Sequence, residues 1–261
     1  MIYFSGVECN PYGRVISIIF GDVTNVVTSG TLPSSIGNFQ SMTEMRFIYF
    51  GLSGTIPSTI GKLTSLQTLR LLVNSFTGTI PPSIGLLTSL KWLTIIYNPK
   101  LGGPLPSSFR NLIKLNFLRI FANQLTGPIP ETFAGLTDLT SLQLHDNYLT
   151  GTIPSFIGNY RSLTKLDFSK NSLSGTIPYT MSSLTALGDL KFDYNYLTMG
   201  NATSVPTSTF SNVTLQGNLS LYFNCLAFHT VSPFRYVAAS HCPSEGNTIT
   251  NYTVIGYIVA L

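Results

Sequence analysis

Few side chains of this sequence could perform acid–base or metal chemistry. Histidine occurs at three positions, 145, 229 and 241, and catalysis by proton transfer needs ionisable groups that converge on one point. His145, Asp146 and Asp167 are spaced so that a repeating fold would bring them together, but a solvated polar surface explains them more simply. No cysteine and histidine spacing is typical of a zinc site, and no glycine-rich loop is typical of a phosphate cradle. The sequence therefore predicts a protein that is not an enzyme and has no cofactor and no metal site.

Arginine and aromatic residues offer a different chemistry, which is binding. Arg46, Arg70 and Arg119 are separated by steps of 24 and 49 residues, and the single tryptophan, Trp92, lies between the last two. Arginine and aromatic side chains that share one surface are typical of binding hot spots. These residues can share a surface only if the fold brings positions about two dozen residues apart next to one another.

A repeated tetrapeptide indicates such a fold. The segment Gly-x-Ile/Leu-Pro recurs with steps of 24 residues and a single step of 25, starting at Gly30, Gly54, Gly78, Gly103, Gly127, Gly151 and Gly175. A period of this length is typical of a solenoid, in which each repeat forms one coil and contacts its neighbours. The glycine permits the backbone angles of a turn, and the proline opens a short helical turn after it.

A block with the spacing L-x-x-L-x-L-x-x-N precedes most of these turns, and its clearest copy is Leu66, Leu69, Leu71 and Asn74. The alternating leucines predict short parallel strands with one buried face, about 4.8 Å apart, so seven coils predict a concave sheet about 30 Å long. The asparagine is expected to bond buried backbone groups of neighbouring coils and so to form a ladder.

Two departures from the repeat predict local irregularity. Phe50 and Val23 stand where the second and first coils should carry the asparagine, so we expect an irregular ladder at the N-terminal end. The segment 98–103 holds one extra residue, which we expect to bulge the turn outward.

The complete repeat resembles the plant-type subclass of leucine-rich repeats. Residues 171–178, Asn-Ser-Leu-Ser-Gly-Thr-Ile-Pro, show the pattern, which covers about residues 14–200. The resemblance implies an α/β solenoid, a right-handed horseshoe with a concave parallel sheet, a convex side of short 3-10 and irregular segments, and a second short strand at the L-x-G turn. Members of this family are ectodomains of receptor-like kinases, receptor-like proteins and secreted inhibitors of cell-wall polygalacturonases.

The outward positions of the strand blocks are where a binding surface is expected, because the leucines point into the core. These positions carry apolar side chains and arginines in the first four repeats and mixed charges in the last three. We predict a ligand-binding concave patch formed by Arg46, Tyr49, Arg70, Leu72, Trp92, Ile96, Tyr97, Phe117, Arg119 and Phe121. Ile48 stands in the same column as Leu72 and is also expected to be exposed. The alternative is that these side chains merely cover one another as cross-strand ladders.

The repeats divide the chain into four regions. Residues 1–30 hold the remnant of an N-terminal cap and the first coil, 31–200 the repeats of 24 residues, 201–245 the last coil and a C-terminal cap, and 246–261 a tail. The last coil fits two registers, Phe210, Val213, Leu215 and Asn218 or Leu219, Leu221 and Asn224.

Cysteines near both ends indicate the secretory route. Cys225 and Cys242 flank a loop of 16 residues, and a disulfide there would close the C-terminal cap and contribute about 3 kcal/mol in the chain-entropy model; two buried free thiols are the alternative. Cys9, followed by Gly13-Arg14-Val15, resembles the tail of the plant-type N-terminal cap, in which the matching cysteine is bridged to one upstream. We therefore expect a preceding segment, including a signal peptide, to be missing from this chain, whereas the competing interpretation is a cytosolic protein that starts at Met1.

Composition agrees with an extracellular or cell-surface location. Only 9% of the residues are charged, against about 25% in an ordinary domain, and the net charge of +4 is spread without a basic run, which argues against nucleic acid as a partner. Predicted glycosylation sites lie at Asn201, Asn212, Asn218 and Asn251. The apolar stretch from Thr253 to the end is either the start of a cut-off segment that would associate the protein with a membrane or a strand on the cap.

Three functions fit these observations. The leading hypothesis is an extracellular recognition module that binds a peptide, glycan or protein ligand on its concave face, as in a receptor-like ectodomain. The second is a secreted inhibitor of a cell-wall-degrading hydrolase, and the third is a structural or adhesion surface protein.

Overall fold

The chain folds as a stack of parallel coils, each of which contributes a strand to one long inner sheet. The computed structural model describes residues 6–21, 29–198 and 219–220. In chain order the described strands are β1 (Gly6–Cys9), β2 (Val15–Gly21), β3 (Gly30–Thr31), β4 (Glu44–Ile48), β5 (Leu52–Thr55), β6 (Thr68–Leu72), β7 (Ser75–Thr79), β8 (Trp92–Ile96), β9 (Lys100–Pro104), β10 (Phe117–Phe121), β11 (Gln124–Gly127), β12 (Ser141–Gln143), β13 (Tyr148–Leu149), β14 (Lys165–Asp167), β15 (Ser174–Thr176), β16 (Asp189–Lys191), β17 (Tyr196–Thr198) and β18 (Leu219–Ser220).

The inner sheet has the order β1-β2-β4-β6-β8-β10-β12-β14-β16-β18. β1 runs antiparallel to β2, and the pairs that follow are parallel. The register places equivalent repeat positions side by side, so that Met45 pairs with Leu69 and Leu69 with Leu93. In β18 the partner of Leu190 is Leu219, which matches the second of the two registers considered for the last coil.

A second set of strands follows the inner sheet at the L-x-G turn, as the resemblance implied. β3, β5, β7, β9, β11 and β13 form a parallel sheet, and β15 pairs with β17 in a smaller one. After each turn a proline precedes a 3-10 helix, and these helices span Ser34–Asn38, Ser58–Lys62, Pro82–Leu86, Ser107–Asn111, Glu131–Gly135, Ser155–Asn159 and Tyr179–Ser183. The predicted solenoid with an inner parallel sheet and short outer 3-10 segments is confirmed.

The hydrophobic core runs through the inside of the stack. Repeat leucines such as Leu69, Leu93, Leu118 and Leu142 are fully buried, and they form one continuous cluster with the apolar residues of the turns. Burial of a leucine side chain contributes about 1.5–3 kcal/mol. The core therefore stabilises each coil mainly through its two neighbours, since no coil could bury these side chains alone.

The predicted asparagine ladder is present and satisfies backbone groups inside the stack. The Asn74 side-chain oxygen accepts a hydrogen bond from the Leu52 N–H at 3.1 Å, and its amide donates to the carbonyls of Phe47 at 3.0 Å and Leu72 at 2.9 Å. Asn147 makes the same set of bonds with Leu125 and Ile120. Each asparagine thus joins its own turn to the preceding coil.

The structure accommodates the two predicted irregularities, the missing asparagine at position 50 and the extra residue after Asn98, in different ways. At the N-terminal end Phe50 occupies the ladder position and stacks with Phe20 at 5.0 Å between ring centroids, so aromatic packing replaces the amide there. The extra residue after Asn98 is accommodated in a turn closed by the Leu101 N–H donating to the Asn98 carbonyl at 2.9 Å. Leu101 remains fully buried, and the coils on both sides keep their parallel pairing.

One backbone feature recurs in seven successive coils of the described part of the chain and was not predicted from the sequence. The residue before each asparagine position has a positive φ of 51–56°; these residues are Tyr49, Val73, Tyr97, Ala122, Asp146, Lys170 and Tyr194. This conformation is unfavourable for residues other than glycine, especially for a β-branched one. In the coils that carry the asparagine its amide bonds the carbonyl two residues earlier, as Asn98 does with Ile96 at 3.1 Å, and so helps to hold the turn in this form.

Candidate binding surface

The inner sheet aligns Arg46, Arg70 and Arg119, as their spacing predicts, in one continuous row that we call the arginine row. Its paired members are Arg46, Arg70, Thr94, Arg119, Gln143, Asp167 and Lys191. Neighbouring members lie about 4.8 Å apart, as strands of one sheet do. The step of 24 or 25 residues in the sequence thus becomes the step from one strand to the next.

Trp92 and Phe117 form the centre of the predicted patch. They are cross-strand partners, their ring centroids lie 4.5 Å apart, and the rings are tilted by 50°. The Arg70 guanidinium lies over the Trp92 ring at 4.7 Å, and the Arg119 guanidinium lies over the Phe117 ring at 5.1 Å. These four side chains form what we call the arginine–aromatic quartet, in which cation–π contacts hold both arginines in place.

The predicted apolar column is only partly exposed. Leu72, Ile96 and Phe121 are half-buried, and Ile48, which we expected to be exposed, is 6% exposed. That expectation was wrong: Ile48 is buried although it lies outside the core cluster, between its register partners Gly21 and Leu72 in the sheet.

Several polar side chains at the outward positions are also covered. Thr94, Gln143, Asp167 and Ser169 are buried. Thr94 stands in the row between the longer side chains of Arg70 and Arg119, and a short side chain beside long ones loses its access to solvent. Part of the concave face is therefore closed to solvent.

The rim of the patch is well exposed. Tyr49 and Tyr97 are 61% and 58% exposed, and both belong to the positive-φ positions that precede the ladder. Trp92 is 37% exposed, while Phe117, Arg46, Arg70 and Arg119 are half-buried. The predicted site residues therefore lie on one side of the stack, with exposed aromatic rings at its edges.

Sequence reasoning missed two neighbours of the arginines. Glu44 forms an ion pair with Arg46, and the Ser141 hydroxyl accepts a hydrogen bond from Arg119 Nε at 3.4 Å. Both residues stand in the same column as Trp92 and Phe117, two residues before the arginine row. Extending that column along the repeat would have found them.

Charges in the C-terminal half of the concave face largely neutralise one another. Lys170 Nζ lies 3.2 Å from Asp146 Oδ1, and this hydrogen bond and the charge of Asp146 raise the pKa of Lys170. Lys165 Nζ lies 2.7 Å from Asp189 Oδ2. Opposite charges on adjacent coils stabilise the sheet modestly. We therefore assign these ion pairs to the stability of the fold.

His145 marks the boundary between the apolar and the polar half. Its ring stacks on Phe121 with centroids 4.0 Å apart, and its Nδ1 lies 3.4 Å from Asp167 Oδ2 without hydrogen-bond geometry. The other oxygen of Asp167 accepts from the Ser169 N–H and hydroxyl at 3.1 and 2.6 Å. Burial is the main influence on His145 and lowers its pKa, while the nearby Asp167 and Asp146 oppose the shift. The His145 ring therefore serves to pack against Phe121.

Among the described residues no group of three or more His, Cys, Asp or Glu side chains is arranged to hold a metal ion. No described helix is long and apolar enough to cross a membrane. Cys9 lies exposed at the end of β1. The predicted disulfide between Cys225 and Cys242 and the predicted glycosylation sites Asn201, Asn212, Asn218 and Asn251 lie outside the described residues and stay predictions.

Comparison with known families identifies the repeats. Family models described as leucine-rich repeat match residues 65–87 and 137–197. The chain is a leucine-rich-repeat protein, with a repeat and fold of the plant type. No curated protein sequence matches it significantly.

Solved structures give the most informative similarities. The chain resembles the plant peptide hormone receptor RGFR1 in complex with RGF2, with 34% identity, a TM-score of 0.70 and coverage of 76% of this chain and 31% of the receptor chain. It also resembles the ectodomain of the Arabidopsis thaliana membrane receptor kinase GASSHO1/SCHENGEN3 in complex with CASPARIAN STRIP INTEGRITY FACTOR 2, with 31% identity, a TM-score of 0.73 and coverage of 85% and 26%.

A third similar structure is the Arabidopsis receptor kinase HAESA in complex with the peptide hormone IDA and the co-receptor SERK1. Its identity is 26%, its TM-score is 0.67, and the match covers 85% of this chain and 44% of HAESA. The present chain therefore spans about a quarter to less than half of the receptor chains that it matches.

Proposed function

We propose that the chain is an extracellular recognition module that binds a peptide or protein ligand on the N-terminal half of its concave sheet. The observation that carries this proposal is the arginine–aromatic quartet, Arg70, Trp92, Phe117 and Arg119. Partly exposed Trp and Arg side chains, packed on one another and edged by tyrosines, have the composition of a binding hot spot. An ordinary solvated repeat surface would carry short polar residues at these positions.

The solved neighbours support a peptide as the ligand class. RGFR1, GASSHO1/SCHENGEN3 and HAESA were solved with a peptide or protein factor bound. The curved row of parallel strands offers an extended ligand successive contacts about 4.8 Å apart. A peptide lying across β4, β6, β8 and β10 would contact the quartet and the half-buried Leu72, Ile96 and Phe121 in turn.

An extracellular location belongs to the same proposal. The solved neighbours include the ectodomain of a plant membrane receptor kinase, and a surface with few charges and many hydroxyl and amide groups suits that environment. Glycosylation near the C-terminus and membrane association through a further segment would follow from this location. Detection of glycans at Asn201 or Asn212 after secretion by plant cells tests it.

The binding proposal can be tested by selection from a displayed library of random peptides on the immobilised 261-residue chain. We expect enrichment of a peptide family, and we expect its capture to be lost in the double variant Arg70→Glu with Phe121→Ser. Both side chains are half-buried on the concave face, so these changes should alter the surface while the core leucines stay in place.

The matched control makes the same kinds of change on the outer side. Arg110→Glu with Ile113→Ser alters two exposed residues in and just after the Ser107–Asn111 helix and should leave capture unchanged. Equal capture by the wild type and the concave double variant would contradict the proposal. Circular dichroism of all three proteins establishes that the fold is retained.

A further inference from the structure

A second aromatic surface lies in the C-terminal half, at the edge of the stack where the chain passes from the inner sheet to the L-x-G turn. Tyr148, Tyr194 and Tyr196 are 59%, 46% and 50% exposed, and they lie outside the hydrophobic core. A single exposed tyrosine needs no explanation, but aromatic rings grouped on neighbouring coils are typical of an interaction surface. This edge is separate from the N-terminal concave patch described above.

The repeat places two of these rings in one row with a short side chain between them. The Ser172 N–H donates to the Leu149 carbonyl at 2.8 Å. The Tyr196 N–H makes the equivalent bond to the Leu173 carbonyl at 2.7 Å. Tyr148, Ser172 and Tyr196 therefore occupy equivalent positions of successive coils, and the two tyrosines lie about 10 Å apart, two steps between paired strands. The small serine leaves space for a ligand between the two rings.

A second row lies two residues earlier in each coil and carries charge. Its members Asp146, Lys170 and Tyr194 share the positive φ. Lys170 Nζ lies 3.2 Å from Asp146 Oδ1, and these side chains remain 55% and 38% exposed. Among the hydrogen bonds of the described residues, this pair uses one carboxylate oxygen, so the other oxygen can accept and the remaining N–H groups of Lys170 can donate. We call the two rows together the edge surface, which consists of Asp146, Tyr148, Lys170, Ser172, Tyr194 and Tyr196.

A depression of about 260 Å³ opens in the edge surface. Asp146, Tyr148 and Lys170 line it together with the ladder residues Asn123 and Asn147. The Asn147 amide already donates to backbone carbonyls, so the tyrosine ring and the ion pair are the groups open to a ligand. Sites for drug-sized ligands measure about 300–1,000 Å³, and this smaller depression suits a single ring with an apolar face and a polar rim.

The charges of these coils favour a neutral ligand. Between residues 141 and 198 four acidic and four basic side chains are present and cancel, with histidine counted as neutral. Asp146 and Lys170 also cancel each other within the depression. A neutral ring that bears hydroxyl groups would cover no unpaired charge, whereas an anionic ring would bring its carboxylate close to that of Asp146. A neutral sugar combines an apolar face of C–H groups with a rim of hydroxyl donors and acceptors.

We propose that the edge surface binds a neutral oligosaccharide, with one sugar ring stacked on Tyr148 and its hydroxyl groups bonded to Asp146 and Lys170. A second sugar ring of the same ligand lies on Tyr196, two coils further along the stack. The tyrosine rings supply apolar contact, and the ion pair supplies charge-assisted hydrogen bonds. This site is distinct from the proposed peptide surface, and the inference does not rest on the proposed function.

Isothermal titration calorimetry of the complete chain tests the proposal. The probes are the neutral β-1,4-linked hexasaccharides of glucose, mannose and xylose, together with glucose alone and the anionic trigalacturonate. At least one hexasaccharide should bind, and glucose should bind at least about tenfold more weakly, because only the longer ligand reaches both Tyr148 and Tyr196. Trigalacturonate should bind more weakly than that hexasaccharide.

Variants locate the site with the hexasaccharide that binds most tightly. Tyr148→Ser should weaken its binding about tenfold through loss of the ring contact, whereas Tyr148→Phe keeps the ring and should keep most of the affinity. Lys170→Met removes the ammonium group but keeps an unbranched stem, and it should weaken binding several-fold. Tyr179→Ser is the matched control, because Tyr179 is 67% exposed on an outer 3-10 helix and should bind as the wild type does. The thermal midpoint of each variant shows whether the scaffold is intact.

Failure of all three hexasaccharides to bind the wild type would overturn the inference, as would equal affinity of the wild type and Tyr148→Ser. Tighter binding of trigalacturonate would overturn the assignment to a neutral sugar. Loss of hexasaccharide binding in the folded double variant Arg70→Glu with Phe121→Ser would move the sugar to the concave face and overturn the edge surface as its site. Enriched peptides without sugar binding would remove only this inference, whereas sugar binding without enriched peptides would remove only the proposed function.

Discussion

Asn147 shows how single side chains join neighbouring coils. Its side-chain oxygen accepts from the Leu125 N–H at 3.1 Å, and its amide donates to the carbonyls of Ile120 at 2.9 Å and Leu144 at 3.0 Å. All these groups are buried and out of reach of water. An unsatisfied buried backbone group costs about 1–3 kcal/mol, so each ladder asparagine carries a large share of the stability of its coil.

Asn147→Leu should therefore lower the free energy of unfolding by about 3 kcal/mol or more, because at least two buried backbone groups lose their partner. Urea unfolding followed by circular dichroism measures the change. Asn159→Leu is the control, since Asn159 is exposed at the end of a 3-10 helix and should change stability by about 0.5 kcal/mol at most. Similar effects of the two substitutions would contradict the role of the ladder.

His145 gives a prediction about pH. Burial lowers its pKa in the folded protein below the usual value of about 6.5, so the unfolded state binds more protons between these two pKa values. Stability should then fall as the pH decreases below about 6.5, and the fall should be smaller in His145→Gln. Thermal unfolding of both proteins between neutral and mildly acidic pH measures it. An equal or steeper loss in His145→Gln would show that pairing with Asp167 outweighs burial.

At the scale of the element, the 3-10 helices determine how closely the coils stack on the outer side. A Cβ atom built on Gly85 would lie 2.4 Å from the Ser108 carbonyl oxygen of the next helix, whereas one built on Gly135 would meet nothing within 4 Å. Real Cβ atoms do not approach a carbonyl oxygen that closely. Glycine at position 85 is thus required by packing between neighbouring coils.

Gly85→Ala should destabilise the protein by about 1–3 kcal/mol, because the two coils must separate to admit the methyl group. Gly135→Ala should be neutral or slightly stabilising, since alanine restricts the unfolded chain more than glycine does. Thermal midpoints of the two variants provide the comparison. A larger loss for Gly135→Ala than for Gly85→Ala would contradict the packing described for the outer side.

The sequence predicted which residues are neighbours in the inner sheet, but not which of them are exposed or what backbone angles the turns adopt. The 24-residue step predicted that Arg46 and Arg70 are neighbours, because each step adds one strand to the sheet, and the register confirms it. The exposure of side chains was harder to predict, because the repeat spacing does not show which side chains cover their neighbours. Ile48, for example, is buried. The positive φ of residues such as Val73 gave no sequence signal, because the turn imposes it on valine, tyrosine and lysine alike.

In the whole molecule, each coil is stabilised mainly by the coils directly before and after it in the stack. In the described part of the chain, each inner strand pairs with the strands that precede and follow it in the sheet. Stability in such a solenoid is approximately a sum over coils and their interfaces. A substitution that destabilises one coil should therefore also destabilise the adjacent coils, and its effect should decrease with distance along the stack.

Leu69→Asp tests this behaviour, because it places a carboxylate at a fully buried position of β6. Hydrogen exchange should lose protection in the strands β4, β6 and β8 first, while β12, β14 and β16 keep most of theirs. Uniform loss of protection along the chain would indicate a single cooperative unit instead. Thr68→Asp, at the half-buried neighbouring position, is the control with little expected effect.

Hydrogen exchange of the complete chain, measured with and without a peptide selected on it, tests whether the N-terminal half of the concave face binds the ligand. Bound peptide should increase protection in residues 44–49, 68–73, 92–97 and 117–122 and leave the 3-10 helices of the outer side unchanged. Protection confined to the outer helices, or to residues 165–170 and 189–194, would contradict the claim.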